Sequence, residues 1–122
     1  MNKDQGLDYF WASFNLAAYE ENTVPDGAVM PYLTYEVATD SVDGVVPLTA
    51  SLWYYSTSWK DICLKRDEIA ARLANGGEVI KLDDGYLWIV PGSPFSQRMD
   101  DPADDAIRRI ILNVQAEFLT PT

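Results

Sequence analysis

Ile107-Arg108-Arg109-Ile110-Ile111-Leu112-Asn113-Val114-Gln115-Ala116-Glu117-Phe118-Leu119 is the stretch that decides the fold class. Ile110, Leu112, Val114, Ala116 and Phe118 fall on one side, and Arg109, Asn113, Gln115 and Glu117 on the other. Successive side chains of an extended strand point to opposite faces, so this alternation predicts a long strand with one apolar side. Its other side is wet or faces a partner. A strand of that kind needs a sheet around it and a layer over its apolar face.

Working outward, Glu78 to Leu82, the turn Asp83-Asp84-Gly85 and Tyr86 to Val90 predict a hairpin. Tyr86-Leu87-Trp88-Ile89-Val90 is apolar on both faces, which predicts a central strand covered on both sides. Pro91 to Asp105 reads as a long irregular segment. Tyr32 to Thr39 and Val46 to Tyr55 alternate around the turn Asp40-Ser41-Val42-Asp43-Gly44, a second antiparallel hairpin. Leu33, Tyr35 and Val37 share one face of its first strand, and Leu48, Ala50, Leu52 and Tyr54 one face of its second.

Two segments carry helical spacing instead. Leu7, Phe10, Trp11, Phe14, Ala17 and Ala18 predict an amphipathic helix over Asp4 to Glu21, followed by a loop from Asn22 to Pro31. Trp59, Ile62, Cys63, Ile69, Ala70 and Leu73 predict a second helix, capped from Ser56, Thr57 or Ser58 and closed by Asn75-Gly76-Gly77. Arg66 falls within that stripe and reads as a side chain snorkelling at its edge. The order α-β-β-α-β-β-β lacks βαβ alternation. It predicts one α+β domain over residues 1–122, an antiparallel sheet of about five strands with two helices packed on it.

Composition narrows the chemistry. The 122 residues are 48% apolar, enough for a domain that buries about two-thirds of its surface and needs no disulfide or metal to hold it. There is no histidine and one cysteine, Cys63, so neither a His/Cys metal site nor a nucleophile paired with a histidine base can be assembled. A lone cysteine fits a reducing compartment. The formal charge of −10 argues against a basic groove for nucleic acid and against an anionic membrane surface. No apolar run reaches about 18 residues and the N-terminus lacks a signal-peptide pattern, so a soluble, non-secreted domain is expected.

The densest polar cluster is Arg98-Met99-Asp100-Asp101-Pro102-Ala103-Asp104-Asp105, with Arg108 and Arg109 close behind. Four carboxylates could hold Ca²⁺ or Mg²⁺, but the spacing is not that of an EF-hand and Pro102 interrupts it. Asp101-Pro102 also reads as a helix start, and the flanking arginines allow ion pairs within the chain or between subunits. Asp83-Asp84 and Glu20-Glu21 are further acid pairs, and nothing marks either as a catalytic dyad. No glycine pattern cradles a phosphate. No enzymatic activity, cofactor or metal is expected.

Aromatic residues say more, with four Trp and seven Tyr. Trp53-Tyr54-Tyr55 and Trp59 place rings on both faces of a strand and on the helix after it. Trp53 and Tyr55 must then be exposed, covered by the first helix, or buried against another subunit. Trp and Tyr are enriched among interface anchors.

Several strings together resemble a known family: Leu48-Thr49-Ala50-Ser51-Leu52-Trp53-Tyr54, Ser56-Thr57-Ser58-Trp59-Lys60, Asp83-Asp84-Gly85-Tyr86-Leu87-Trp88-Ile89, Gly92-Ser93-Pro94-Phe95-Ser96-Gln97-Arg98-Met99 and Ile107-Arg108-Arg109-Ile110. They resemble the small tail terminator or tail-completion (neck) proteins of long-tailed phages and prophages of Gram-positive bacteria. The resemblance implies an α+β protomer in the virion, assembled in the host cytoplasm. It implies a homo-oligomeric ring, commonly hexameric, that caps the tail tube protein and meets the head–tail connector. DNA would pass through its lumen without specific binding, and a negative lumen would keep the DNA backbone from sticking. A head–tail adaptor is the neighbouring role. An acidic monomeric inhibitor or DNA mimic, or a carbohydrate-binding module using the aromatics, belongs to a different class. Within the ring reading, Phe95, Arg98, Met99, Asp100, Asp101, Arg109, Trp53 and Tyr55 are the expected protein-interface residues, with the Pro91 to Asp105 segment as an arm.

Overall fold

The computed structural model describes residues 1–38, 44–101 and 104–119. Its elements are α1 (Lys3–Ala12), β1 (Ala17–Glu20), β2 (Tyr32–Tyr35), β3 (Gly44–Tyr55), α2 (Lys60–Leu73), β4 (Glu78–Leu82), β5 (Gly85–Asp100) and β6 (Ile107–Leu119). Among the described residues the fold is α+β with two helices. The sheet has six strands in the order β1-β2-β3-β6-β5-β4, and β1 runs parallel to β2 while every other pair is antiparallel. The expectation of a wholly antiparallel sheet of about five strands is therefore corrected, as is the order α-β-β-α-β-β-β.

The extra strand comes from the segment expected to continue the first helix. Asn2 opens α1 with a reciprocal capping box: its side chain accepts from the Gln5 amide at 2.9 Å, and Gln5 accepts from the Asn2 amide at 2.9 Å. Replacing Asn2 with alanine should lower stability by about 1 kcal/mol, read as a shift in thermal unfolding. Leu7, Phe10, Trp11 and Phe14 are all buried, as the helical spacing predicts. The helix nonetheless ends at Ala12, and Asn15 takes φ 60°, a left-handed conformation that asparagine tolerates better than most residues. The chain turns there, so Ala17 and Ala18 enter a strand.

The strand register follows the alternation closely. In β6, Ile110, Leu112, Val114, Ala116 and Phe118 are buried. Opposite them on β3 stand Leu52, Ala50, Leu48, Val46 and Gly44, and Leu87 and Ile89 of β5 face Phe118 and Ala116. These side chains meet the helices in one hydrophobic cluster. The Tyr35 hydroxyl donates to Asp8 at 2.9 Å and ties β2 to α1. Burial pushes the Tyr35 phenol up, and the bond to Asp8 pushes it further.

Two further expectations change. β5 lies between β4 and β6, but Tyr86 and Trp88 are exposed, so this strand is covered on one face only. Pro91 to Asp105 is not a free loop: β5 continues to Asp100, with a register shift between Pro91 and Ser96 that accommodates the two prolines. α2 starts at Lys60, later than the serines. Ser58 Oγ accepts from the Lys60 amide at 3.0 Å and Ser56 Oγ from the Ser58 amide at 3.1 Å. The turn residues 40–43 and the Pro102 of the expected helix start lie outside the described residues.

Candidate interaction surface

Because the strands alternate, burying one side of β3, β5 and β6 under the helices puts every second residue on the opposite side. Neither helix covers that outer side. Among the described residues, eleven large apolar side chains are exposed, and seven of them stand on this face: Val45, Tyr55, Val79, Tyr86, Trp88, Met99 and Leu119. Single exposed apolar residues are ordinary, but a concentration on one face marks an interaction surface.

One row across the face is ordered by its neighbours. Tyr32 stands opposite Trp53, Trp53 opposite Arg109, and Arg109 opposite Met99, so four strands contribute in register. The Tyr19 ring meets Tyr32 edge-on at 5.8 Å and Tyr32 lies 6.4 Å from Trp53. The Arg109 guanidinium sits 4.5 Å from the Trp53 ring centre. Beneath them are Thr34 and Ser51, the buried polar residues among those described. Trp53 Nε1 donates to Thr34 Oγ1 at 3.0 Å, and Arg109 donates to Ser51 Oγ from Nε at 3.2 Å and from Nη2 at 3.1 Å. The hydroxyls hold the indole and the guanidinium in one conformation, so a partner meeting this row pays little side-chain entropy.

The expected interface residues divide between the two sides of the sheet. Trp53, Tyr55, Arg109 and Met99 come together on the outer face. Arg98 and Asp100 alternate to the helix side, where Arg98 and Arg108 stack on Trp59 at 4.9 and 5.1 Å. Phe95 is half-buried and packs against the core, so it is part of the fold as much as of any arm. Asp101 follows the end of β5, half-buried.

Aspartates 100, 101, 104 and 105 line a cleft of about 270 Å³ with Ile107 and Arg108. No group of three or more carboxylates converges as a metal site among the described residues. Asp104 instead closes the turn into β6, accepting from the Ala106 amide at 2.8 Å. A second cleft, of about 370 Å³, lies between Pro47–Thr49 of β3 and the shifted part of β5, and its lining includes no ionisable side chain. No helix among the described residues is long and apolar enough to cross a membrane.

Tyr19, Tyr32, Thr34 and Ser51 are parts of the row that sequence reasoning missed. Tyr19 lies in the stretch whose spacing predicts a helix, and a buried hydroxyl that fixes an indole leaves no periodic signal. The exposed Tyr86 and Trp88 were visible as apolar residues on both faces of one strand, a pattern that an interface produces as readily as a second covering layer. Comparison of the chain with protein-family models, with curated proteins and with solved structures returns no match.

Proposed function

We propose that the chain is a structural protein of a phage tail, similar to a tail terminator, that assembles with copies of itself and joins the tail tube to the head connector. The observation that carries this reading is the hydroxyl-pinned row Tyr32, Trp53, Arg109 and Met99 on a sheet face that no helix covers. Trp, Tyr and Arg are the residue types that dominate interface energetics. A sheet face that gathers seven exposed large apolar side chains is suited to being contacted by a partner. An acidic mimic of DNA would have no use for the row, because its contacts would be made by evenly spaced carboxylates.

The test is the phage or prophage lacking this chain, with its particles imaged in negative stain. Tails of uncontrolled length, or tails of normal length that fail to join heads, are the expected results. The first outcome favours the terminator role and the second the adaptor role. Normal, infectious particles would overturn both.

A further inference from the structure

The sheet has several stretches of strand edge with no partner among the described residues, and they are not equivalent. β4 pairs only with Gly85–Ile89 of β5, so the rest of β5 is bonded to β6 on one side and open on the other. Its first part carries Pro91 and Pro94 and the register shift, devices that stop a strand from pairing further. Ser96 to Asp100 then runs regularly opposite Leu112 to Arg108, contains no proline, and Gln97, Arg98, Met99 and Asp100 are all exposed. The outer edges of β1 and β4 are four and five residues long, and the part of β3 before its pairing with β2, residues 44–48, carries Pro47 and no charged side chain.

We infer that two copies of this chain pair antiparallel along residues 97–101 at the end of β5, about a two-fold axis through Met99, with Gln97 of each copy facing Asp101 of the other. Charge selects both the edge and the register. In such a pairing, residues standing opposite each other share a sheet face, so they come from positions an even number apart. Centring on Met99 sets Arg98 of each copy against Asp100 of the other, giving two cross-strand opposite-charge pairs. Centring on Arg98 would oppose two arginines, and centring on Asp100 two carboxylates. The β4 edge has no such register, because Glu78 and Lys81 are three apart and face opposite sides. The β1 edge offers only Glu20 as a charge.

Within one chain Asp100 stands opposite Arg108 of β6, but among the described residues neither Arg98 nor Asp100 is locked in a close ion pair. Arg98 stacks on Trp59 and donates to Cys63 Sγ at 3.4 Å. On the outer face the axis brings Met99 against Met99. The row of Tyr32, Trp53, Arg109 and Met99 then continues into its counterpart, and one unbroken apolar surface spans both copies. This pairing does not rest on the tail reading, and it would hold for a chain with any other role.

Met99→Cys in a Cys63→Ser background tests the axis. Directly opposed residues of an antiparallel pair lie about 4.5–5.5 Å apart at Cα, within disulfide reach. The expected result is a cross-linked dimer on oxidation, with light scattering of the unmodified chain giving twice 13.7 kDa. Arg98→Asp or Asp100→Arg alone should weaken the dimer at least tenfold, and the two together should restore it, because the swap keeps the charges complementary. Circular dichroism melting of Arg98→Asp shows whether its contacts with Trp59 and Cys63 matter to the fold. A monomer at all concentrations, no cross-link through Met99→Cys, or a dimer that both single reversals leave intact would overturn the pairing.

Discussion

Replacing Gly77 with alanine is expected to remove about 2–5 kcal/mol of folding stability, from strain and overpacking together. Asn75, Gly76 and Gly77 take φ of 62°, 102° and 82° in succession as the chain leaves α2 for β4. The Gly77 amide donates to the Leu73 carbonyl at 3.1 Å and closes the last turn of the helix. A Cβ on Gly77 would lie 2.2 Å from the Ile89 carbonyl oxygen and 2.8 Å from Val90 Cγ1. The first obstacle is backbone of the adjacent β5 strand, which cannot swing away as a side chain could. Domains of this size are stable by only about 5–15 kcal/mol, so the loss is a large fraction of the whole. Gly76 is the internal control, with a positive φ but nothing within 4 Å of the added Cβ. Gly76→Ala should cost about 1–2 kcal/mol, for the left-handed strain alone. Urea unfolding of the two variants measures the difference, and equal losses would mean that the close approach to Ile89 carries no weight.

The two glycines also show what the sequence does and does not reveal. Asn75-Gly76-Gly77 announces the end of a helix, but only the approach of Ile89 from a later strand makes one glycine indispensable and the other replaceable. Local alternation was enough for β6, whose observed bounds are those read from the sequence, and for the pairing of β4 with β5. It failed where the periodic signal was ambiguous. Phe14, Ala17 and Ala18 continue the spacing of α1, and small alanines fit a helix or a strand equally well, so only the left-handed Asn15 separates them. It failed again at Pro91 to Asp100, where proline normally argues against a strand. There β6 extends beyond β4, and β5 can run on along it once the register shift has absorbed the prolines. Four of the eight expected interface residues lie together on the outer face. What brings Trp53, Arg109 and Met99 into one row is the register of three strands, a long-range property that no window of sequence contains.

That row gives the second large effect. On the tail role proposed above, Trp53→Ala should leave the chain folded and weaken its binding to tail tubes by about 30-fold or more, the loss typical of an interface hot spot of about 2 kcal/mol. The ring lies half-buried over Thr34 rather than in the core, and its removal opens the Thr34 hydroxyl to water, which replaces the lost hydrogen bond. Arg109→Ala should behave alike, since the guanidinium rests on Trp53 and its hydrogen bonds go to Ser51. The two residues act as a unit, so the double variant should lose less than the two single losses combined. Ser51→Ala separates order from contact: it keeps both large side chains and removes the acceptor that fixes Arg109. Its expected cost in assembly is about 3- to 10-fold, the share of binding carried by holding one long side chain in place. Co-sedimentation with purified tail tubes reads the assembly, and thermal melting reads the fold. Trp53→Ala protein that binds tubes like the unmodified chain would move the contact elsewhere on the molecule. Light scattering of the same variant is independent of that result. Trp53 lies two strands away from the β5 edge, so its loss leaves the pairing of Arg98 with Asp100 untouched, and a Trp53→Ala dimer that fails to bind tubes would separate the two surfaces in one protein.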